Sequence, residues 1–249
     1  MRPKPIIVCD FDGTITQEDA TDLVLAQLAH PSWREVEQEW ALGLIGSREC
    51  LERQVALVDS SATELNALVD SVTVDPHFSS FHSFVRRKKM PFYVVSDGFD
   101  LIIRRVLKNA GLNGPLHNGK HLFSSRLKIR GRRLEPSFPY SGPPCGHDCA
   151  TCKVEIIRRV RGNGRLVVFI GDGLSDQFAA RAADVVFAKR QLFAHCRANG
   201  IPCRPFETFA DLQADLATLL ESVTPDEAPV RRESRARTRQ SKVAVAVGS

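Results

Sequence analysis

Short apolar runs alternate with longer stretches of helical period along most of the chain. Ile6-Ile7-Val8 is a β-branched run of the kind that fills a parallel strand buried on both faces. Pro91 to Val95, Arg165 to Ile170, Asp184 to Phe187 and Ile201 to Cys203 repeat the pattern. Between them, apolar residues recur three and four positions apart. Ile102, Ile103, Val106 and Leu107 mark a helix over 99–110, and Val154 to Val160 another. Gln191 to Asn199 is stopped by Gly200, and Leu212, Leu216 and Leu219 share one face of Phe209 to Leu220. Strands alternating with helices predict an α/β fold around a parallel sheet. Residues 115–140 depart from the rule. Leu122-Phe123 and Leu127-Lys128-Ile129 alternate around Gly131, which predicts a hairpin ringed by Arg126, Lys128, Arg130, Arg132 and Arg133. That basic hairpin is either a solvated face or a device that steers anions.

The first two strands are separated by far more chain than an ordinary crossover needs. Residues 17–30 carry Leu23, Val24, Gln27 and Leu28 at helical spacing. Ser32 with Glu35, and Ser61 with Glu64, have capping-box spacing, and Ser47 suits an N-cap after Gly43 and Gly46. Asp75-Pro76 suits the opening of a helix through Phe78, Phe81 and Phe84. We therefore expect residues 17–74 to form a small helical cap on an α/β core made of 1–16 and 75–223.

Composition narrows the class. An apolar fraction of 43% over 249 residues supports a full core. Seven cysteines do not suggest a disulfide scaffold, and no apolar run is long enough to span a bilayer, so a cytoplasmic protein without a membrane partner is expected. Of the net charge of +5, three units sit in residues 224–249, a Pro-, Ser- and Arg-rich stretch without hydrophobic period. The body is nearly neutral, which makes a nucleic-acid partner unexpected.

Chemistry concentrates at strand ends. Ile6 to Val8 delivers Asp10 and Asp12 into a turn opened by Gly13, where open α/β sheets bind ligands. Two acids so placed can hold a cation, or act as nucleophile and acid. Ser96-Asp97-Gly98 follows the second strand, a hydroxyl and a glycine at a junction suited to phosphate. Lys153 opens a helix, where its charge opposes the macrodipole and invites a functional reason. Gly171-Asp172-Gly173-Leu174-Ser175-Asp176 follows the third strand. Cys145, His147, Cys149 and Cys152 crowd just before Lys153, as a zinc site or a packed thiol cluster.

The string DFDGTIT, followed in order by SDG, the lysine and GDGLSD, resembles the haloacid dehalogenase superfamily of phosphohydrolases over residues 5 to about 220. The resemblance implies a Rossmann-like core with its cap after the first strand, a Mg²⁺ cofactor and a small phosphorylated metabolite as substrate. Asp10 would be the nucleophile that carries the phosphoryl group, and Asp12 the general acid and base. Ser96, Gly98 and Lys153 would hold the phosphoryl oxygens. Asp10, Asp12 (through its backbone carbonyl), Asp172 and Asp176 would serve the metal. The helical insertion, the SDGFD segment and the CxxCK segment resemble one branch, which includes the methionine-salvage phosphatase for 2-hydroxy-3-keto-5-methylthiopentenyl-1-phosphate. Phosphoserine and phosphoethanolamine/phosphocholine phosphatases are neighbouring branches, and a catalytically silent phosphate binder is the alternative of another class. Asp97 stands where many phosphoserine-type members carry Gly. It either caps helix 99–110 or meets an ammonium group on the substrate.

Overall fold

Seven strands form one sheet in the order β4-β3-β2-β1-β5-β6-β7 in the computed structural model, which describes residues 4–112, 116, 120–142, 146–162 and 164–222. The tail 224–249 and Cys145 lie outside the described residues. The central strand is β1 (Ile6–Cys9), parallel to β2 (Phe92–Phe99) on one side and to β5 (Val167–Gly171) on the other. Beyond β5 lie β6 (Val185–Ala188) and the two-residue β7 (Arg204–Pro205), both parallel. β3 (Leu122–Arg130) runs parallel to β2, and β4 (Arg133–Ser137) turns back antiparallel as the expected hairpin.

Period-two alternation sends successive β1 residues to opposite faces, both of which are covered. Ile7 and Cys9 join the apolar cluster that includes Phe78, Phe81, Ile103, Phe209 and Leu212. These come from α5 (Phe78–Arg87), α6 (Asp100–Asn109) and α10 (Phe209–Ser222). Ile6 and Val8 join Ile156, Phe169, Ala179 and Leu192 on the other face, under α7 (Lys153–Arg161), α8 (Gln177–Ala182) and α9 (Arg190–Ala198). The four apolar residues expected to face inward from α6 are all buried there.

The helical excursion after β1 comprises α1 (Ala20–Leu28), α2 (Trp33–Ala41), α3 (Ser47–Val55) and α4 (Ala62–Val69). Its ends meet side by side. Thr16 bridges Val74, Gln17 N–H donates to Thr73 O at 3.0 Å, and Asp75 N–H donates to Ile15 O at 2.9 Å. Leu51, Val55, Leu65 and Val69 belong to the same cluster as the core helices, so the insertion packs down onto the α/β body.

Several caps differ from expectation. The Ser61–Glu64 box is present with both bonds. Ser32 makes no cap; its backbone is already helical and its hydroxyl turns to the His30 ring. Gly46 takes the N-cap of α3, and Ser47 becomes its first residue with the hydroxyl accepting from Ala150 N–H. His77, not Asp75, takes the N-cap of α5; Asp75 accepts from His77 N–H and from the N–H of Phe209, the first residue of α10, and so ties the starts of the two helices together. The hairpin's Arg132 pairs with Asp59 and Glu64 of the insertion, and Arg130 with Glu135. Arg132 thus ties the hairpin to the insertion, while Arg126, Lys128 and Arg133 stay exposed as a solvated basic face.

Candidate active site

β1 ends between two neighbours that leave in opposite directions along the sheet, so the loops after β1, β2 and β5 part and leave a crevice. Asp10 N–H extends the ladder by donating to Ile170 O, and the chain then turns tightly on Phe11, whose carbonyl accepts from Thr14, Ile15 and Thr16 N–H. Gly13 has φ +66°, and a Cβ there would lie 2.4 Å from Asp172 Oδ2. The turn thus needs glycine both for its conformation and for room.

Lys153 is the first residue of α7 and only 4% exposed. Its ammonium donates to Asp10 Oδ1 at 2.8 Å, Asp176 Oδ1 at 2.5 Å and Ser175 Oγ at 3.2 Å. That explains a lysine at a helix start. Burial pushes it down, but the Asp10, Asp176 and Asp97 carboxylates more than reverse this and hold it charged. Asp10 is pushed well up by burial and by Asp176 and Asp172, against Lys153. Asp172 is likewise raised by burial and Asp176. Thr14 Oγ1 donates to Asp172 Oδ1 at 2.7 Å. Asp176, fully buried, accepts from the amides of Asp172 and Gly173 and so builds the loop that carries Asp172.

Asp10, Asp172 and Asp176 bring carboxylate oxygens within 4.8 Å of one another. Hard oxygen donors with two acids pushed up for want of positive charge are what a small divalent cation neutralises. The site fits Mg²⁺. The Asp12 carboxylate turns away from that cluster, accepting from Ala20 N–H at 2.9 Å and from the Ser96 hydroxyl at 3.4 Å. Burial and Asp19 push its acid well up, with the Ala20 amide opposing.

Ser96 and Gly98 sit differently from expectation. β2 continues through them with a register shift between Val95 and Phe99, and Gly98 N–H is taken by Ser96 Oγ at 2.9 Å. A Cβ on Gly98 would lie 2.4 Å from Asp12 Oδ2. Asp97 does not cap α6, whose N-cap is Phe99 with no side-chain bond. Its carboxylate accepts from Thr151 N–H at 2.8 Å, with the Ser47 hydroxyl as a second hydrogen-bonding neighbour. His147 stacks on Phe178 with ring centroids 3.7 Å apart. Among the described residues the aspartates form the only metal-type cluster.

One residue of the site had no motif to announce it. Arg190, with φ +48°, donates to Gly13 O, Gln17 O and Asp172 Oδ2, joining the first loop to the third. Its only signal was a basic pair, Lys189-Arg190, directly after a strand.

Over these groups lies a cavity of about 400 Å³ between core and insertion. Asp10, Asp12, Ser96, Asp172 and Arg190 form its floor, and Asp22, Glu37, Trp40, Leu51 and Gln54 its roof.

A model of haloacid dehalogenase-like hydrolases matches residues 7–181. The chain is 33% identical over 88% of its length to a bifunctional enzyme MtnB/MtnX of Bacillus licheniformis, and spans half of that protein. It is 31% identical over 84% of its length to a 2-hydroxy-3-keto-5-methylthiopentenyl-1-phosphate phosphatase of an Exiguobacterium species, covering 95% of it. Among solved structures, a phospho-aspartyl intermediate analogue of phosphoserine phosphatase superposes with a TM-score of 0.65 at 18% identity, over 90% of this chain and all of that one. With an aspartate triad and a buried lysine at the ends of β1, β5 and the start of α7, the match extends from sequence to site, and the chain belongs to the haloacid dehalogenase-like hydrolase family.

Proposed function

We propose that the protein hydrolyses a small phosphate monoester with Mg²⁺, through a phosphoryl group carried on Asp10. The observation that carries the reading is the position of Lys153, bonded to Asp10 and Asp176 beside Asp172, with Asp12 held apart and pushed toward its protonated form. Asp10, Asp172 and Asp176 would hold or orient Mg²⁺, together with the backbone carbonyl of Asp12, and the ion would neutralise phosphoryl charge. An Asp10 carboxylate oxygen attacks phosphorus, and the bond from phosphorus to the ester oxygen breaks. Asp12 gives its proton to that departing oxygen. Water then attacks the same phosphorus, Asp12 takes a proton from it, and the bond to Asp10 breaks to release phosphate. Lys153 holds Asp10 in place and offsets its repulsion from the substrate. Ser96 positions Asp12, and Ser96 and Gly98 line the part of the cavity where the phosphoryl group would sit. The insertion over 17–74 acts as the cap that excludes water and meets the organic part of the substrate.

For that organic part we propose 2-hydroxy-3-keto-5-methylthiopentenyl-1-phosphate or a close relative, because relatives covering most of the chain carry that name. The roof offers Trp40 and Leu51 for apolar contact and Gln54 for hydrogen bonding. Asp22 and Glu37 in the same roof would repel a substrate carboxylate, which disfavours phosphoserine. They favour one second reading, an amine-bearing ester without a carboxylate such as phosphoethanolamine or phosphocholine. Buried thiols at Cys9, Cys50 and Cys196 support a reducing compartment, and we place the protein in the cytoplasm. No helix among the described residues is long and apolar enough to cross a membrane. A screen of neutral, cationic and carboxylate-bearing phosphate esters with Mg²⁺, reading released phosphate, tests the reading. Release from none of them would refute it.

A further inference from the structure

Polar contacts join the cap to the segment leading to Lys153. Arg48, at the start of α3, donates from Nε and Nη2 to the two Asp148 oxygens at 2.8 and 3.2 Å, and its N–H donates to Asp148 O at 3.1 Å. Asp148 presents its carboxylate and its carbonyl to one residue by taking φ +47°, a conformation few L side chains adopt. Gly46 fits against it only without a side chain, since a Cβ would lie 2.5 Å from Asp148 O. Ser47 Oγ accepts from Ala150 N–H at 2.9 Å. Asp97, at the end of β2, then accepts from Thr151 N–H at 2.8 Å, two residues before Lys153, with the Ser47 hydroxyl beside it. The Asp97 carbonyl is held from the far side by Ser125 Oγ at 2.8 Å.

We propose that Asp97 is a positioning residue: its carboxylate fastens the start of cap helix α3 and the segment 150–152 to the end of β2, so that seating of the cap and the aim of Lys153 at Asp10 are set together. The inference rests on the phosphatase reading above for its kinetic consequence, and on the contacts alone for its structural one. It explains why an acid is present where no metal or helix cap uses it. Thr151, 1% exposed, cannot take its amide bond from water instead.

The test uses the full chain with Asp97→Ala, Asp97→Asn and Ser47→Ala. Each is assayed on an aryl phosphate, a neutral alkyl ester and an amine-bearing ester, alongside amide hydrogen exchange of segments 47–55 and 146–152. Asn keeps an oxygen for the Thr151 amide, so it should stay within about threefold of the parent on all esters. Asp97→Ala should lose roughly 10–100-fold, mainly in kcat and equally on all three, because a misplaced Lys153 acts on the transition state whatever the leaving group. Exchange should rise in both segments together. Ser47→Ala, which keeps the Thr151 bond, should raise exchange in 47–55 and lower kcat about 3–10-fold, and it serves if the alanine variant fails to fold. A loss confined to the amine-bearing ester and shared by Asn would overturn the proposal in favour of a substrate contact. So would exchange rising with kcat unchanged, or no change in either. If the parent protein released no phosphate from any ester, the phosphatase reading would fall, and joint exchange alone would decide whether Asp97 couples the two segments.

Discussion

Replacing Lys153 with methionine keeps the stem and deletes the ammonium, which makes it a clean probe of how the site is held. At an effective dielectric of 20, contacts of 2.8 and 2.5 Å are each worth about 6 kcal/mol of gross attraction. Most of that repays taking three charges out of water. Removing one partner of a buried pair typically costs about 3–5 kcal/mol, since the remaining carboxylates stay buried without compensation. For a domain of this size each kcal/mol moves Tm by about 2–4 °C, so Lys153→Met should melt about 6–20 °C lower in the absence of metal. The penalty depends on pH. Asp10, already pushed up by burial and its acidic neighbours, rises further without the ammonium. An acid whose folded value lies above its unfolded one stabilises at low pH, and loses that contribution as pH rises through the folded value. The gap between variant and parent should therefore be wide at pH 8 and narrow at pH 5.5. Millimolar Mg²⁺ should narrow it at pH 8. Differential scanning fluorimetry over that grid is the assay. A gap under about 2 °C that ignores pH and Mg²⁺ would refute the electrostatic account of the lysine.

Other outcomes follow from the same geometry. Asp12→Asn should slow alkyl esters far more than an activated aryl phosphate, whose leaving group needs little protonation; equal losses would remove Asp12 as general acid. In the proposed mechanism Asp12 works protonated, and burial with Asp19 raises it, so kcat/KM on an alkyl ester should fall on the alkaline side, and the Asn variant should lack that limb. Gly98→Ala should cost activity through Asp12, since the added methyl would occupy the space of Asp12 Oδ2; a fully active variant would contradict the close packing there. In the parent without metal, the raised Asp10, Asp12 and Asp172 should make Tm fall from mildly acidic to neutral pH, and Mg²⁺ should restore it. A flat profile with no response to Mg²⁺ would argue against the metal site.

Much of this architecture was legible along the chain because the signals were local. Ile6 to Val8 is a strand in any context that buries both faces, and Lys153 betrayed itself by opposing a helix dipole. Ser61 and Glu64 formed their box because both partners lie within one turn. Apart from Ser32, whose hydroxyl turns to nearby His30, what failed needed distant partners. Ser47 and Asp75 have ordinary capping chemistry, but Ala150 in one case and Phe209 in the other offered amides that local reasoning could not see. Asp97 read as a cap or a substrate contact, and its amide partner lies 54 positions away. The pairing of Arg132 was hidden for the same reason, because Asp59 and Glu64 belong to the insertion. Arg190 carries no motif; only the approach of Gly13 and Asp172 gives it work.

The proposed mechanism requires Asp10 to carry the phosphoryl group. Single-turnover reaction with an aryl phosphate and Mg²⁺, quenched in acid within the first turnover and mapped by mass spectrometry, tests it most directly. One phosphoryl group is expected on the peptide containing Asp10, decaying as phosphate appears, and none in Asp10→Asn, which should keep its fold and lose turnover. Phosphate release with no phosphoryl-enzyme at any time, or an Asp10→Asn variant that keeps more than about a tenth of the activity, would contradict it.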